Sequence, residues 1–196
     1  PNGIYANAGV SDAFVVDNKP PDAPTIDSVN GQPVPIGTAI VGPNFTLGGT
    51  GEGKAEARGY VDGSQEVSDT VTAGGNYTLS FSGLSDGEHT IAVTIFDGIH
   101  ESASSEIQVV VDTVKPTVEV ISPVDGTTIP TKTPTFRARM DDVGSGLDSY
   151  TLSVAENTYT MAYNPADKTA SFTLPPGAAL GQGQTYTAVF KAMDKA

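Results

Sequence analysis

The sequence contains no cysteine and no tryptophan, and basic residues are scarce, with 10 lysines and arginines against 23 aspartates and glutamates. Without cysteine there is no disulfide, so stability has to come from core packing, stiff linkers or bound ions. The formal net charge of −13 would repel phosphate backbones, so nucleic acid is not expected as a partner. No apolar run is long enough to cross a bilayer, so membrane insertion is not expected either.

Helical patterns are also lacking. The 22 glycines and 14 prolines interrupt every stretch with helical spacing, and the short hints at residues 53–58 and 178–180 end at glycine within a turn. Alternating apolar residues predict strands instead, as in Ile91, Val93 and Ile95, which point to one face. The Asp62-Gly63 pair predicts a β-hairpin. Further strands are expected at residues 76–81, 105–111 and 186–193. The sequence therefore predicts an all-β protein.

A repeated motif divides the chain. An apolar β-rich run followed by aspartate, lysine and proline stands at residues 14–21 and again at residues 109–116. The two copies lie about 95 residues apart, which is the size of a small β-sandwich. Branched side chains favour a strand and proline cannot continue a ladder. Each copy of the motif, here called a seam, therefore marks the end of one domain and the beginning of the next.

This organisation predicts two tandem β-sandwich domains, at residues 19–113 and 114–196, preceded by a strand in residues 1–18 that completes a neighbouring repeat or subunit. Residues 84–97 of the first domain correspond to residues 180–194 of the second. No counterpart of residues 107–112 follows in the second domain. We therefore expect it to be incomplete, with its final strand supplied from outside.

The strand in residues 1–18 suggests what supplies this final strand. Residues 10–17 of one unit would pair with the open edge of another unit's second domain by β-strand addition. The neighbour would be a second copy of the chain or the adjacent repeat of a longer array. The residues expected at this strand-exchange interface are Val10, Phe14, Val15 and Val16 on the donor and Tyr186, Val189 and Phe190 on the acceptor.

Three acidic residues are the best metal candidates. Asp141, Asp142 and Asp148 lie in and beside a glycine-containing loop, where carboxylates and carbonyls can converge on a hard cation such as calcium. A polar turn between strands is the competing interpretation, since the spacing of an EF-hand is missing. A second candidate cluster is formed by the acidic residues of the seams, namely Asp17, Asp22 and Asp112.

Other kinds of site are not expected. His89 and His100 lack a nearby partner at ligand spacing, so both are interpreted as incidental surface side chains rather than zinc ligands. With no cysteine and no Gly-x-Ser-x-Gly motif, the chain is not expected to be an enzyme. Tyr150, Tyr159 and Tyr163 could form a strip that stacks on sugar rings, although core and cross-strand packing explains them as well.

Several tracts resemble a known family. Pro24-Thr25-Ile26, residues 84–93, the Val-Asp seams that end in Lys-Pro, and residues 142–148 are similar to bacterial immunoglobulin-like (Big-type) repeats of large surface adhesins. The loop at residues 48–53 departs from that family, because it is poor in acidic residues where many repeats carry a fuller acidic turn. The resemblance implies immunoglobulin-like sandwiches.

The resemblance also implies a function and a location. It indicates a non-enzymatic module of an adhesin stalk or fibre, placed outside the cell or on its surface in a bacterium or archaeon. A glycan or a host or cell-surface molecule would then be a candidate ligand. The alternative is a carbohydrate-binding or spacer module of a secreted polysaccharide-active enzyme.

Overall fold

The computed structural model describes residues 16–196, and these residues form two β-sandwich domains in tandem. The predicted all-β fold is confirmed, since the helical content of the described residues is a single 3-10 turn at Pro176–Ala178. Within the described residues, none of the helical structure is long and apolar enough to span a membrane.

The first domain contains nine strands. They are β1 (Ser28–Val29), β2 (Gln32–Pro33), β3 (Ala39–Val41), β4 (Phe45–Thr50), β5 (Glu56–Val61), β6 (Ser64–Thr70), β7 (Asn76–Phe81), β8 (Gly87–Phe96) and β9 (Ser105–Val111). One sheet has the order β2-β1-β4-β7 and the other has the order β3-β9-β8-β5-β6. All described pairs are antiparallel except β3 with β9, which is parallel.

Alternation along the strands forms the core between these sheets. Leu47 and Leu79 from one sheet and Ile91, Val93 and Ile95 from the other are fully buried. Strand β8 is central in its sheet, because β5 pairs with one of its edges and β9 with the other. The last strand, β9, therefore covers the edge of β8 and adds its own apolar side chains to the core.

The turn between β5 and β6 follows from its sequence. Asp62 has a φ of 50° and Gly63 a φ of 87°, and a type I′ turn requires positive φ at both central residues. The hairpin predicted from the Asp-Gly pair is therefore confirmed. Strand β3, in contrast, was not predicted, because it exists by pairing with β9 about 70 residues later in the chain rather than through any local pattern.

The second domain contains seven described strands. They are β10 (Thr117–Ser122), β11 (Thr135–Asp141), β12 (Leu147–Val154), β13 (Asn157–Thr160), β14 (Ala162–Asn164), β15 (Thr169–Thr173) and β16 (Ala188–Asp194). Their sheets have the orders β10-β11-β15-β14 and β13-β12-β16. Ala138, Met140, Leu152 and Ala170 are fully buried between them.

A buried aspartate joins the two domains. Asp112 follows β9 directly, and its Oδ2 accepts a hydrogen bond of 2.7 Å from the backbone N–H of Ser145 in the second domain. Its Oδ1 accepts the N–H of Val114 at 3.0 Å. The hydrogen bonds from Ser145 lower the pKa of the Asp112 carboxyl, with a smaller contribution from Val114. The carboxylate thus ties the end of one domain to a loop of the next.

Candidate functional site

The candidate site is the free edge of strand β16. This strand pairs antiparallel with β12, from Ala188 opposite Val154 to Asp194 opposite Leu147. In the part of the chain that the structure describes, no strand runs along its other edge. The corresponding strand of the first domain, β8, has a neighbour on both sides. An unpaired edge presents free backbone donors and acceptors to any added strand.

The inward side chains of β16 are incompletely covered. Directly opposite residues of an antiparallel pair point to the same face of a sheet. Phe190 lies opposite fully buried Leu152, and Ala188 lies opposite buried Val154, so both point toward the core. Both are nevertheless only half-buried, whereas the equivalent positions of β8 are fully buried: Ile91, Val93 and Ile95.

Strand β10, on the facing sheet, also has inward side chains that are incompletely covered. Val118 lies opposite Met140 and Val120 lies opposite Ala138. Met140 and Ala138 are fully buried, but Val118 is 38% exposed and Val120 is 43% exposed. Cα atoms of β10 come within 8 Å of those of β16. The two strands therefore approach each other with inward apolar side chains that are incompletely covered; we call this apolar strip the β10–β16 groove.

The segment of the second domain that corresponds to β3 also differs from its counterpart in the first domain. In the first domain β3 is held by its parallel pairing with β9. The second domain has no assigned strand between Ser122 and Thr135. Instead, this stretch lines a shallow, mostly apolar depression of about 330 Å³ whose walls include Ile121, Val124, Ile129 and Pro134. The described part of the second domain therefore has both an open edge at β16 and an unpaired segment where the first domain has β3.

The structure places the predicted acceptor residues at or near this edge. Val189 is 43% exposed and Phe190 is half-buried, and both lie in β16. Tyr186, 39% exposed, precedes the strand, and its hydroxyl oxygen accepts the N–H of Gly181 at 2.9 Å. The strand predicted at residues 186–193 thus begins two positions later, at Ala188.

The predicted donor residues can be placed only in part. Val10, Phe14 and Val15 lie outside the described residues. Val16 is described and is 76% exposed, with no strand assigned to it. The pairing of residues 10–17 with a neighbour therefore stays a prediction.

The three calcium candidates are not brought together. Asp141 is paired with the ammonium group of Lys168 at 2.6 Å, and Asp142 accepts the backbone N–H of Gly146 through Oδ2. Asp148 is exposed in β12. These three do not form a group with ligand atoms within 4.8 Å of one another. Calcium binding by this loop stays a prediction without a converged site to support it.

The seam aspartates also lie apart. Asp22 forms an exposed pair with Lys19 at 3.3 Å, while Asp112 is bound to the Ser145 loop. Asp17 lies instead beside Asp97 and His100 of the loop after β8. The predicted Asp17, Asp22 and Asp112 cluster does not form a group with ligand atoms within 4.8 Å of one another.

The tyrosines of the predicted sugar-stacking strip stack on other aromatic rings. The rings of Tyr150 and Tyr163 lie 5.0 Å apart, and those of Tyr159 and Phe172 lie 4.6 Å apart, both pairs nearly parallel. All three tyrosines pack against the core of the second domain. The hydroxyl of Tyr163 donates to the carbonyl of Met140. Each stacked pair joins strands of different sheets, so the arrangement is that of core packing between the two sheets.

Sequence reasoning missed the contacts of both histidines. His89 is 13% exposed and contacts Asp62 Oδ2 through Nδ1 at 2.7 Å and the Ser85 carbonyl through Nε2 at 2.9 Å. His100 groups with Asp97 and Asp17. The spacing of Asp97 and His100 within one loop was a local signal for this second arrangement, but Asp17 comes from a segment about 80 residues earlier.

Solved structures with fibronectin-III or immunoglobulin-like folds are similar to this chain. Fibronectin(III)-like modules of Clostridium thermocellum CbhA are 19% identical, with a TM-score of 0.48, over 88% of this chain and 86% of that chain. The FN1-FN3 domains of chicken CNTN1 are 13% identical, with a TM-score of 0.41, over 95% and 66%. The BSP domain of a biofilm-associated protein is 17% identical, with a TM-score of 0.29, over 80% and 27%.

No family model and no curated protein matches the chain. The likeness to solved structures concerns the fold. The narrower resemblance to Big-type adhesin repeats therefore stays a prediction.

Proposed function

We propose that this chain is a non-enzymatic structural module of an extracellular stalk or fibre, and that a β-strand from a neighbouring unit completes its second domain. The β10–β16 groove is the observation that supports this most directly. Inward-facing apolar residues are exposed on β10 and half-buried on β16, and the edge of β16 has no described partner. An added strand would bury these residues and satisfy the free backbone groups.

The proposed occupant is a strand with the pattern of residues 10–17. Aligning Asp17 with Asp112 places Val16 on Val111 and Phe14 on Val109. Val109 and Val111 are the residues of β9 that are fully buried in the first domain. Phe14 and Val16 would therefore enter the core of the recipient domain, while Val15 would lie on the outer face.

The position of Asp17 along the first domain supports a donor role toward a neighbouring unit. Asp17 lies beside Asp97 and His100, in the loop that precedes β9. The second domain is attached at the other end of β9, which is seven residues long and therefore roughly 20 Å from end to end. Asp17, the last residue of the proposed donor strand, thus lies at the end of the first domain that is remote from the second domain. We propose that the donor is the adjacent repeat unit.

A self-complemented variant tests this proposal. A copy of residues 1–17 is appended after Ala196, which places the copied Asp17 at nearly the spacing from Asp194 that Asp112 has from Asp97. Burying two large apolar side chains stabilises by about 3 kcal/mol or more before ordering costs, so we expect a stabilised second domain. Differential scanning calorimetry should show the transition of the second domain several degrees higher.

The matched control carries aspartate at the copied positions of Phe14 and Val16. It adds the same length of chain but cannot fill the groove, so its transitions should match those of the parent chain. Equal melting of the parent, the extended chain and the control would contradict the proposal. Sedimentation of the parent chain with and without residues 1–17 then distinguishes the two possible donors of the strand. Association that depends on concentration and requires these residues would identify a second copy of the chain, rather than the adjacent repeat, as the donor.

The proposed location and the absence of catalysis rest on the same organisation. A tandem of small sandwiches joined at short seams suits a spacer that extends from a surface. A carbohydrate-binding role is the alternative from sequence. It has no structural observation in its favour, because Tyr150, Tyr159 and Tyr163 pack within the domain.

A further inference from the structure

Three side chains meet at the beginning of the first domain. Asp97 and His100 belong to the loop between β8 and β9, and Asp17 belongs to the segment that precedes the domain. One carboxylate oxygen from each aspartate and one ring nitrogen of His100 all lie within 4.8 Å of one another. Among the residues 16–196, this is the one group of three or more potential metal ligands that converges so closely.

The loop holds two of these groups in place. Asp97 Oδ1 accepts the backbone N–H groups of Ile99 and His100, both at 2.7 Å. These bonds fix the carboxylate and leave Oδ2 on the side of the imidazole. The Asp97 side chain is only 8% exposed, and the hydrogen bond from the His100 backbone is the largest of the effects that lower its pKa.

The ring nitrogen Nδ1 of His100 has no hydrogen-bond partner although it is buried from solvent. It lies 3.5 Å from Asp97 Oδ2, without the geometry of a hydrogen bond. Buried polar atoms are nearly always satisfied, so an orphaned one indicates a missing partner. This observation is independent of the clustering of the carboxylates.

We propose that Asp17, Asp97 and His100 bind a divalent transition metal ion of the zinc class. Two carboxylates and one imidazole are suitable ligands for zinc, with water in the fourth position, whereas calcium takes oxygen ligands. Metal–ligand bonds of roughly 2.0–2.2 Å place tetrahedral ligands about 3.4 Å apart. Side-chain movements of about 1 Å would therefore close the group around an ion.

Such a site would anchor the segment before the first domain. Asp17 corresponds to Asp112 in the repeated seam motif. Asp112 holds the second seam through the Ser145 N–H, and Asp17 would hold the first seam through the metal. The ion would therefore set the direction in which the preceding segment leaves the domain.

Isothermal titration of the metal-free full chain with zinc chloride tests the proposal. We expect one zinc ion per chain, with binding weakened at least tenfold in both H100Q and D17N. The H89Q variant is the matched histidine control and should bind like the parent. D17N changes an exposed residue outside the strands of the domain, so its effect cannot arise from unfolding.

Nitrogen NMR of the imidazole rings adds a direct readout. Zinc should shift the His100 Nδ1 resonance and leave the His89 resonances in place. Absence of zinc binding, binding that survives H100Q and D17N, or equal binding of calcium at this group would each overturn the proposal. A protonated His100 ring that pairs with the two carboxylates and is unchanged by zinc would do the same.

Discussion

The contact between His89 and Asp62 makes a pH-dependent contribution to the first domain. Both ring nitrogens of His89 face acceptors, Asp62 Oδ2 and the Ser85 carbonyl, and only the protonated ring can donate to both. The hydrogen bond to Asp62 accordingly raises the pKa of His89, aided by that to Ser85. The same contact is the main cause that lowers the pKa of Asp62.

The sign of the effect follows from these shifts. The His89 contribution is fully present below the unfolded-state pKa of about 6.5 and is lost as the pH rises through the higher folded value. The Asp62 contribution is present above about pH 3.9 and is lost as the pH falls through its lower folded value. The contact should therefore stabilise most between these limits.

We predict that H89Q lowers the free energy of unfolding of the first domain more at about pH 5.5 than at about pH 8.5. Glutamine keeps a donor but cannot become charged, so the variant removes the pH-dependent part. Urea unfolding of parent and variant at both pH values measures the difference. D62N should abolish the same pH dependence. A difference in unfolding free energy between parent and H89Q that is the same at both pH values would contradict the prediction.

At the scale of the strand, Gly59 of β5 is required for sheet packing. A Cβ atom at this position would lie 2.7 Å from Phe81 Cζ and 2.7 Å from Val67 Cγ1. Phe81 is buried and stacks on Phe45 at 5.0 Å, so it has little room to move. Glycine therefore allows the two sheets to approach at this point.

We predict that G59A destabilises the first domain by about 1–3 kcal/mol through overpacking. G42A is the matched control, because no atom lies within 4 Å of the added methyl group and the backbone there is not left-handed. Its effect should stay within about 0.5 kcal/mol. Denaturant unfolding of both variants measures the two values, and similar values would show that the close approach at Gly59 is readily relieved.

Strands with a regular local pattern could be predicted from sequence. Asn76–Phe81 and Ser105–Val111 were predicted to the residue, because alternation and flanking turn residues define them locally. Strand β3 was missed since it depends on a distant partner. The same limit applies to the grouping of Asp17 with His100, which tertiary folding alone brings together.

For the whole molecule, the seam at Asp112 controls how the domains are joined. The carboxylate of this buried residue accepts one N–H from Ser145 and one from Val114 on different oxygens. Asparagine offers only one acceptor oxygen, so D112N must lose one of the two bonds. Hydrogen bonds to charged groups contribute about 1.5–3 kcal/mol, and we predict that D112N weakens the coupling between the domains by about this amount.

The change is detected by measuring how independently the two domains tumble in solution. NMR relaxation should give similar rotational correlation times for the domains of the parent and more different ones for D112N. D22N is the control, since it removes the same charge from an aspartate side chain that is 91% exposed, and it should tumble like the parent. Unchanged tumbling in D112N would show that other contacts hold the seam.

The loop on the other side of the seam provides a second test. Gly144 has a φ of 134°, and a Cβ atom there would lie 2.7 Å from Asp112 Cγ. G144A should therefore displace the loop from the carboxylate and increase interdomain motion as D112N does. Because both variants break one contact, their effects should not add in the double variant. Additive effects would mean that Gly144 and Asp112 act on the seam separately.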